Sequence, residues 1–366
     1  MSLRVEITDC VDDDTWNGFV ARQPDADLMQ TTHWADVVAG YHGHTPRYAW
    51  VHDGKQPVGA LLLFVEPYFQ MLTRATHPLL HGPTKRALPV LRWKRGPVIP
   101  DPRRRVDVLD ALLSGLQAEA RSMGALGVAE ATSLPDLVQP DCAAVLSATG
   151  TWHTHATFLV DLSTGEDAVW AGMKKVARKA VRRAESQGIV VRRLTDEKDL
   201  GKVWRMLTEG WERLGTRYGR RQDFLGFLWQ ALHPDGHCEF FLAEVDGEPV
   251  GSMGVWQYNG YVYEFFSGRA HAADAARLNV GDAIKWAIIR WGCAQGHRTY
   301  DLAGVIPEPT TSKETGIFAF KEKWGGTYSE YAVFCASYRK RTQRVLDTMH
   351  GTLRRVERAR LARRQT

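Results

Sequence analysis

Lys321 stands in surroundings that packing alone does not explain. It lies between Phe320 and a glycine turn, in the segment Phe320-Lys-Glu-Lys-Trp-Gly-Gly326. Nothing in the packing of a strand or a core requires a cation there, so we expect its ammonium group to have a function. The alternative is a lysine whose aliphatic stem lies along a strand edge while its charge stays in water. Asp301, at the end of a predicted strand upstream, would orient Lys321 or a reacting amine, or is structural.

Cations are concentrated in a second segment, which predicts a basic helix over 166–187. Ser163-Thr-Gly-Glu166 has the pattern of a capping box, and Gly188 ends the helix. An apolar stripe is formed by Met173, Val176, Ala177, Ala180 and Ala184. The remaining faces carry six cations, with only Glu185 among residues 173–187 to offset them: Lys174, Lys175, Arg178, Lys179, Arg182 and Arg183. Like charges at this spacing repel, which favours a polyanion-binding face over a merely solvated one.

Another basic cluster alternates with aromatic residues after residue 210. Arginine binds phosphates and stacks on bases, but a basic loop over a helix end has the same composition, and the sequence favours neither. The members are Arg213, Arg217, Arg220 and Arg221 with Trp211, Tyr218 and Phe224.

Residues 337–366 predict a basic amphipathic C-terminal helix, which is either a solvated terminal helix or a phosphate-contacting arm.

Two similar stretches of sequence predict the elements that position these residues. Tyr48–Ala60 and Phe241–Ser252 each contain a β-prone run, an Asp-Gly turn and Pro-Val-Gly. Asp-Gly favours the type I′ turn of tight hairpins, and Asn259-Gly260 extends the second hairpin into a meander. Each hairpin is followed by a helix, over 106–123 and 279–295, that ends at a glycine and leads to a strand. This shared order predicts two α/β domains of one fold, residues 1–151 and 152–336.

Composition sets wider limits on function. The chain has 366 residues, 44% of them hydrophobic, and a net charge of +5 that permits an anionic partner without requiring one. Five cysteines without a C-x-x-C pair predict reduced thiols rather than disulfides or a zinc site, and no histidine pair has a companion ligand, so we expect no metal. The sequence shows neither a signal-peptide pattern nor an apolar run long enough for a bilayer, so we expect a soluble, cytoplasmic protein.

Taken in order, these motifs resemble the Fem family (FemA, FemB and FemX), aminoacyl-tRNA-dependent transferases that build peptidoglycan cross-bridges. The resemblance covers nearly the whole chain: Met29–Trp34, Arg95–Val98, Phe158–Leu162, the basic helix, the Asp246-Gly247 hairpin, Tyr300–Val305, and Phe320-Lys321 with Gly325-Gly326. It implies two tandem domains of the GNAT (N-acetyltransferase) fold, each a mixed, mostly antiparallel sheet flanked by helices. It also implies charged tRNA as a co-substrate, an amine acceptor and no cofactor.

The resemblance implies roles for individual residues. Lys321 and Asp301 are the expected catalytic residues, and the six cations of the basic helix the expected tRNA contacts. A free amine attacks an aminoacyl ester without a serine or cysteine nucleophile, and Lys321 would stabilise the oxyanion or neutralise a terminal phosphate. Substrate contacts are expected from Trp34, Arg217, Tyr218, Tyr263, Arg269 and Phe320.

The chain also departs from the family. No segment between Gly188 and Glu239 is long enough for the helical arm of many cross-bridge enzymes, and Trp324 stands where a phenylalanine is usual. The acceptor therefore stays open between a peptidoglycan precursor and a small natural product.

Two other functions remain as alternatives. An acyl-CoA N-acyltransferase of the same fold usually has Gln/Arg-x-x-Gly-x-Gly/Ala before the helix that follows the meander. Arg277–Ala283 has one glycine of that pattern, which disfavours CoA. A non-enzymatic nucleic-acid-binding protein would use the basic segments, but no helix-turn-helix, RRM or zinc-finger pattern supports it.

Overall fold

The computed structural model describes residues 3–68, 88–213, 222–346 and 348. The chain forms two compact units, one of residues 1–23, 38–153 and 331–366, the other of residues 24–37 and 154–330. Residues 24–37, expected in the first domain, belong to the second unit, where Trp34 lies 5.0 Å from Trp256 between ring centroids. Residues 340–346 are helical. The rest of the predicted basic C-terminal helix, residue 347 and residues 349–366, lies outside the described residues.

The elements have the following bounds. The strands are β1 Arg4–Thr8, β2 Thr45–Asp53, β3 Gln56–Pro67, β4 Pro89–Arg92, β5 Gly127–Thr132, β6 Thr151–Asp161, β7 Val190–Arg193, β8 Cys238–Val245, β9 Glu248–Tyr258, β10 Tyr261–Arg269, β11 Thr299–Asp301 and β12 Thr327–Ser337. The helices are α1 Asp13–Val20, α2 Thr32–Val37, α3 Arg105–Ser122, α4 Pro140–Thr149, α5 Glu166–Gly172, α6 Lys175–Ser186, α7 Leu200–Arg213, α8 Asp223–Leu232, α9 His271–Ala275, α10 Val280–Ala294 and α11 Ser312–Glu322.

Both units are mixed, mostly antiparallel sheets flanked by helices, as the sequence predicted. In the first unit the strands lie in the order β1-β2-β3-β4-β5-β12, with β4 and β5 parallel. In the second unit the order is β6-β11-β10-β9-β8-β7, with β10 and β11 parallel. Each core lies between its sheet and a long helix: α3 buries Leu109, Leu112 and Leu116 in the first unit, and α10 buries Ile284 and Ile288 in the second.

The predicted hairpins and helix ends are confirmed, with one difference in turn geometry. Asp246 and Gly247 both have positive φ, as a type I′ turn requires. In the first hairpin Asp53 pairs with Gln56, so the turn residues are Gly54 and Lys55 rather than Asp53 and Gly54. A glycine of positive φ at the first turn position is typical of type II′. Glycines of positive φ also end α3 and α10 as predicted.

The predicted basic helix is two helices, α5 and α6, which corrects the continuous helix expected over 166–187. Lys174 is extended, with ψ of 147°, and its N–H donates to Lys323 O at 2.9 Å, so the chain turns there. The capping-box prediction was also wrong, because the Ser163 hydroxyl donates to Asp161 and the N-cap residue is Gly165. Among the described residues, no helix combines the length and hydrophobicity needed to cross a bilayer.

Candidate active site

Lys321 lies in the last turn of α11 and reaches the end of β11. A capping box between Thr311 and Glu314 begins this helix. The Lys321 ammonium donates to the carbonyl oxygens of Ala303 and Gly304, at 3.0 and 3.1 Å. The side chain is therefore held at the strand end by two backbone acceptors rather than lying along a strand edge in water.

The environment of Lys321 disfavours its charge. Its pKa is lowered to about 8, mainly by burial; the nearby cation Lys285 also lowers the pKa, whereas Glu264 and Asp301 raise it. An exposed lysine has a pKa near 10.4 and remains protonated at neutral pH. Lys321 can instead gain or lose a proton close to neutrality, a property common in active sites.

Asp301 is completely buried and organises the backbone that Lys321 contacts. Its carboxylate accepts hydrogen bonds from the hydroxyls of Thr157 and Tyr261, both at 2.5 Å, and from Ala303 N–H at 2.8 Å. Ala303 has φ of 62°, unusual for a residue with a side chain. Asp301 thus fixes the turn whose carbonyls hold Lys321, which is a positioning role.

A buried ion pair next to Lys321 was missed from the sequence. Glu264 accepts from the Tyr300 hydroxyl at 2.6 Å and pairs with Lys285. Lys285 is 2% exposed, and the Glu264 side chain is 11% exposed. The available signal was the position of Lys285 beside Ile284 on the apolar face of α10, where a surface lysine is not expected.

Phe320, predicted to contact substrate, packs against α10. Its ring lies 3.2 Å from the position that a Cβ on Gly281 would occupy. Lys285 and Lys323 lie 5.6 and 4.3 Å from its ring centroid, and Lys323 pairs with the buried Asp282 at 2.5 Å. The ring therefore anchors the last turn of α11, the turn that carries Lys321.

The twin glycines allow the chain to pass close to α5. Gly325 has φ of +78°, and a Cβ there would lie 2.4 Å from Gly172 O. Next to this contact, Lys174 Nζ pairs with Glu322 at 2.7 Å. The end of α11 and the beginning of α6 are thus joined by backbone and side-chain contacts.

The predicted tRNA-binding cations divide into two groups. Lys174 pairs with Glu322, Arg178 donates to carbonyls at the end of α5, including Ala171 O at 3.1 Å, and Arg182 lies over Trp170. Lys175, Lys179 and Arg183 are exposed, four residues apart, and make no side-chain hydrogen bond or ion pair with any described residue. We call these three the basic stripe. The buried face of α6 is formed by Ala177, Val181 and Ala184, whereas Val176, predicted to be in the apolar stripe, is 59% exposed.

The other predicted substrate residues have different positions. Trp34 and Tyr263 both contact Trp256, at 5.0 and 5.9 Å between centroids, and Tyr263 pairs with Asp301 across β10 and β11. Arg269 lies six residues beyond Tyr263 on β10, about 20 Å from it along the strand, and forms an ion pair with Asp274. The structure therefore brings Trp34 and Tyr263 together through Trp256, but not Arg269.

The remaining predicted residues lie outside the described part of the chain. They are Arg217, Tyr218, Arg220 and Arg221, together with the side chain of Arg213. Within the described residues, no group of histidine, cysteine and carboxylate side chains is arranged to hold a metal ion.

Comparison with known proteins confirms the fold. Residues 171–322 match the family of the acetyltransferase (GNAT) domain. The chain is similar to FemX, with a TM-score of 0.67 and 17% identity over 90% of this chain and 97% of FemX. It is also similar to a tandem GNAT protein from the clavulanic acid biosynthesis pathway (TM-score 0.56, 15% identity, 92% and 99% covered) and to L-PGS from Bacillus licheniformis (0.53, 14%, 95% and 97%).

These identities are low, so the likeness shows the fold: two GNAT domains in tandem, as in the clavulanic acid pathway protein, which the sequence resemblance predicted. Among curated protein sequences, none matches the chain significantly.

Proposed function

We propose that this tandem GNAT protein is an aminoacyltransferase that moves an amino acid from charged tRNA to an amine of a peptidoglycan precursor or a small natural product. The observation that carries the proposal is that α6 begins beside the end of α11. A polyanion bound along the basic stripe would then have one end near Lys321. The stripe spans about 12 Å along the helix, at 1.5 Å for each residue.

The chemistry proposed for the site is amide formation by direct attack. The acceptor amine adds to the ester carbonyl of the aminoacyl group, and the ribose oxygen of tRNA leaves with a proton. Lys321, protonated, stabilises the charge that develops on the carbonyl oxygen or on the leaving oxygen. The water-poor surroundings that lower its pKa also strengthen this interaction. No resident cofactor takes part in this scheme, in which aminoacyl-tRNA is the co-substrate.

An acyl-CoA-dependent acyltransferase is the second candidate, and the GNAT family match favours it. Its pyrophosphate would bind at the first turn of α10, where free N–H groups attract anions. That turn already contains the buried Asp282 carboxylate with its partner Lys323, and the Phe320 ring covers Gly281. A second anion there would meet a like charge, so the geometry supports tRNA better than CoA.

The two donors are separated by one experiment. The full-length protein is incubated with an amine acceptor pool and either tRNA charged with labelled amino acids or labelled acetyl-CoA. We expect label transfer from tRNA that is abolished by RNase. Transfer from acetyl-CoA that survives RNase would contradict the proposal, and so would full activity in Lys321→Met.

The basic stripe is tested by tRNA binding. Replacing Lys175, Lys179 and Arg183 by glutamate should weaken binding and reduce the salt dependence of log K by about 2 to 3, because about three phosphate contacts are lost. The matched control reverses three exposed cations elsewhere, Lys55, Lys198 and Lys313, with the same change in net charge. Equal weakening in both variants would show that only net charge matters.

A further inference from the structure

The buried pair Glu264–Lys285 has no role in the transfer chemistry described above. Glu264 lies at a β-bulge, where the pairing of β10 with β9 shifts between Glu264 and Phe266. β10 pairs with β11 only up to Tyr263, opposite Asp301. Glu264 therefore follows the last residue paired with β11, and it reaches Lys285 on α10 and the hydroxyl of Tyr300.

Burying such a pair is costly. Removing two charges from water costs several kcal/mol for each ion, and well-packed apolar residues are often as stable or more stable. Lys285 is 2% exposed and occupies the apolar face of α10. A stabilising role alone therefore does not account for it.

The pair is linked to Lys321 by packing and by charge. Lys285 lies 5.6 Å from the ring centroid of Phe320, the residue that precedes Lys321. The charged groups that act on Lys321 are Glu264 from β10, Lys285 from α10 and Asp301 from β11. Its neighbours Glu322 and Lys323 are paired with Lys174 and Asp282.

We propose that Glu264 and Lys285 are positioning residues for Lys321: their ion pair holds the Phe320–Lys321 turn and sets the charge of the Lys321 ammonium by opposing fields. This deepens the proposed function, since it assigns residues that control its catalytic lysine. The inference rests on that function only for its biological meaning, because the effect of Glu264 and Lys285 on the charge of Lys321 is measurable without substrate.

The signs of the expected effects separate this role from packing. In Glu264→Gln the favourable charge is lost and Lys285 stands unopposed, so the pKa of Lys321 falls. In Lys285→Met the like charge is lost and Glu264 acts alone, so the pKa of Lys321 rises. In the double variant this pKa returns towards the wild-type value. A purely structural pair would behave otherwise: both single variants would open the site to water, and both would raise the pKa of Lys321 towards that of a free lysine.

The experiment measures the titration of Lys321 directly. The folded full-length protein is acetylated with limiting acetic anhydride between pH 6 and 11, and modification of Lys321 is quantified by mass spectrometry. We expect its midpoint to move by about one pH unit, down in Glu264→Gln and up in Lys285→Met, as for charges at close range. Lys202→Met, which breaks the pair between Lys202 on α7 and Asp199 just before that helix, is the control and should not move the midpoint.

Each outcome decides the inference. Opposite shifts with recovery in the double variant support it; shifts of one sign, or none, overturn it. If Lys285→Met does not fold, Glu264→Gln still decides by its sign, because glutamine keeps the size and the acceptor for Tyr300. Opposite shifts without any transfer from charged tRNA would refute the proposed function alone. Transfer with an insensitive midpoint would refute this inference alone.

Discussion

Replacing Lys321 by methionine should change how stability depends on pH. Burial places the pKa of Lys321 at about 8 in the folded protein, against 10.5 for the free side chain. Between these values the unfolded chain binds more protons than the folded one. Stability from this group is therefore fully present above pH 10.5 and is lost as the pH falls through 8. Methionine removes the titration and keeps a similar apolar stem.

The size of the effect follows from that difference. Each pH unit between the unfolded and folded pKa values changes the free energy of unfolding by about 1.4 kcal/mol. The difference between 10.5 and 8 therefore corresponds to about 3.4 kcal/mol over the whole pH range. Between pH 7.0 and 9.5, linkage gives a gain of about 2 kcal/mol for the wild type relative to the variant. The loss of the bonds to Ala303 and Gly304 changes the free energy of unfolding of the variant by the same amount at every pH. The difference in how the two free energies depend on pH comes from the titration of Lys321.

The assay is equilibrium unfolding in urea at pH 7.0, 8.0, 9.0 and 9.5 for both proteins. Lys313→Met is the matched control, because Lys313 is an exposed lysine on the same helix. Its stability difference from the wild type should stay constant with pH. A constant difference for Lys321→Met as well would refute the reasoning, since Lys321 would then titrate as a free lysine.

Two further changes test the residues that hold Lys321 in place, and a third tests the basic stripe. Gly325→Ala should lower the free energy of unfolding by at least about 2 kcal/mol, because its Cβ would lie 2.4 Å from Gly172 O at positive φ; unchanged thermal unfolding would contradict this. Asp301→Asn should lower it by about 2 to 4 kcal/mol and reduce kcat, since Thr157 and Tyr261 donate to different carboxylate oxygens and an amide keeps only one acceptor; an unaltered denaturation midpoint would exclude this role. Reversing the basic stripe should leave unfolding within about 0.5 kcal/mol of the wild type, and a larger loss would show that the stripe is structural.

Local patterns in the sequence identified most of the elements. The helices that end at Gly124 and Gly296 were predicted because apolar spacing and a glycine stop are local signals. The hairpins followed from their turn residues, although the first turn is centred on Gly54-Lys55. The break between α5 and α6 was not predictable, because it depends on a bond from Lys174 to Lys323, almost 150 residues further along the chain.

The sequence by itself determined the duplicated α/β architecture, the presence of six cations on one segment and the unusual position of Lys321. The tertiary structure decided what these residues contact. It divided the six cations into those bound to the protein and the exposed basic stripe, and it assigned Phe320 to packing on α10. It also placed Glu264, Lys285 and Asp301 around Lys321. The reason is physical: a periodic pattern records which face of an element is buried, whereas the pKa of a lysine depends on charges and burial from elements distant in the sequence.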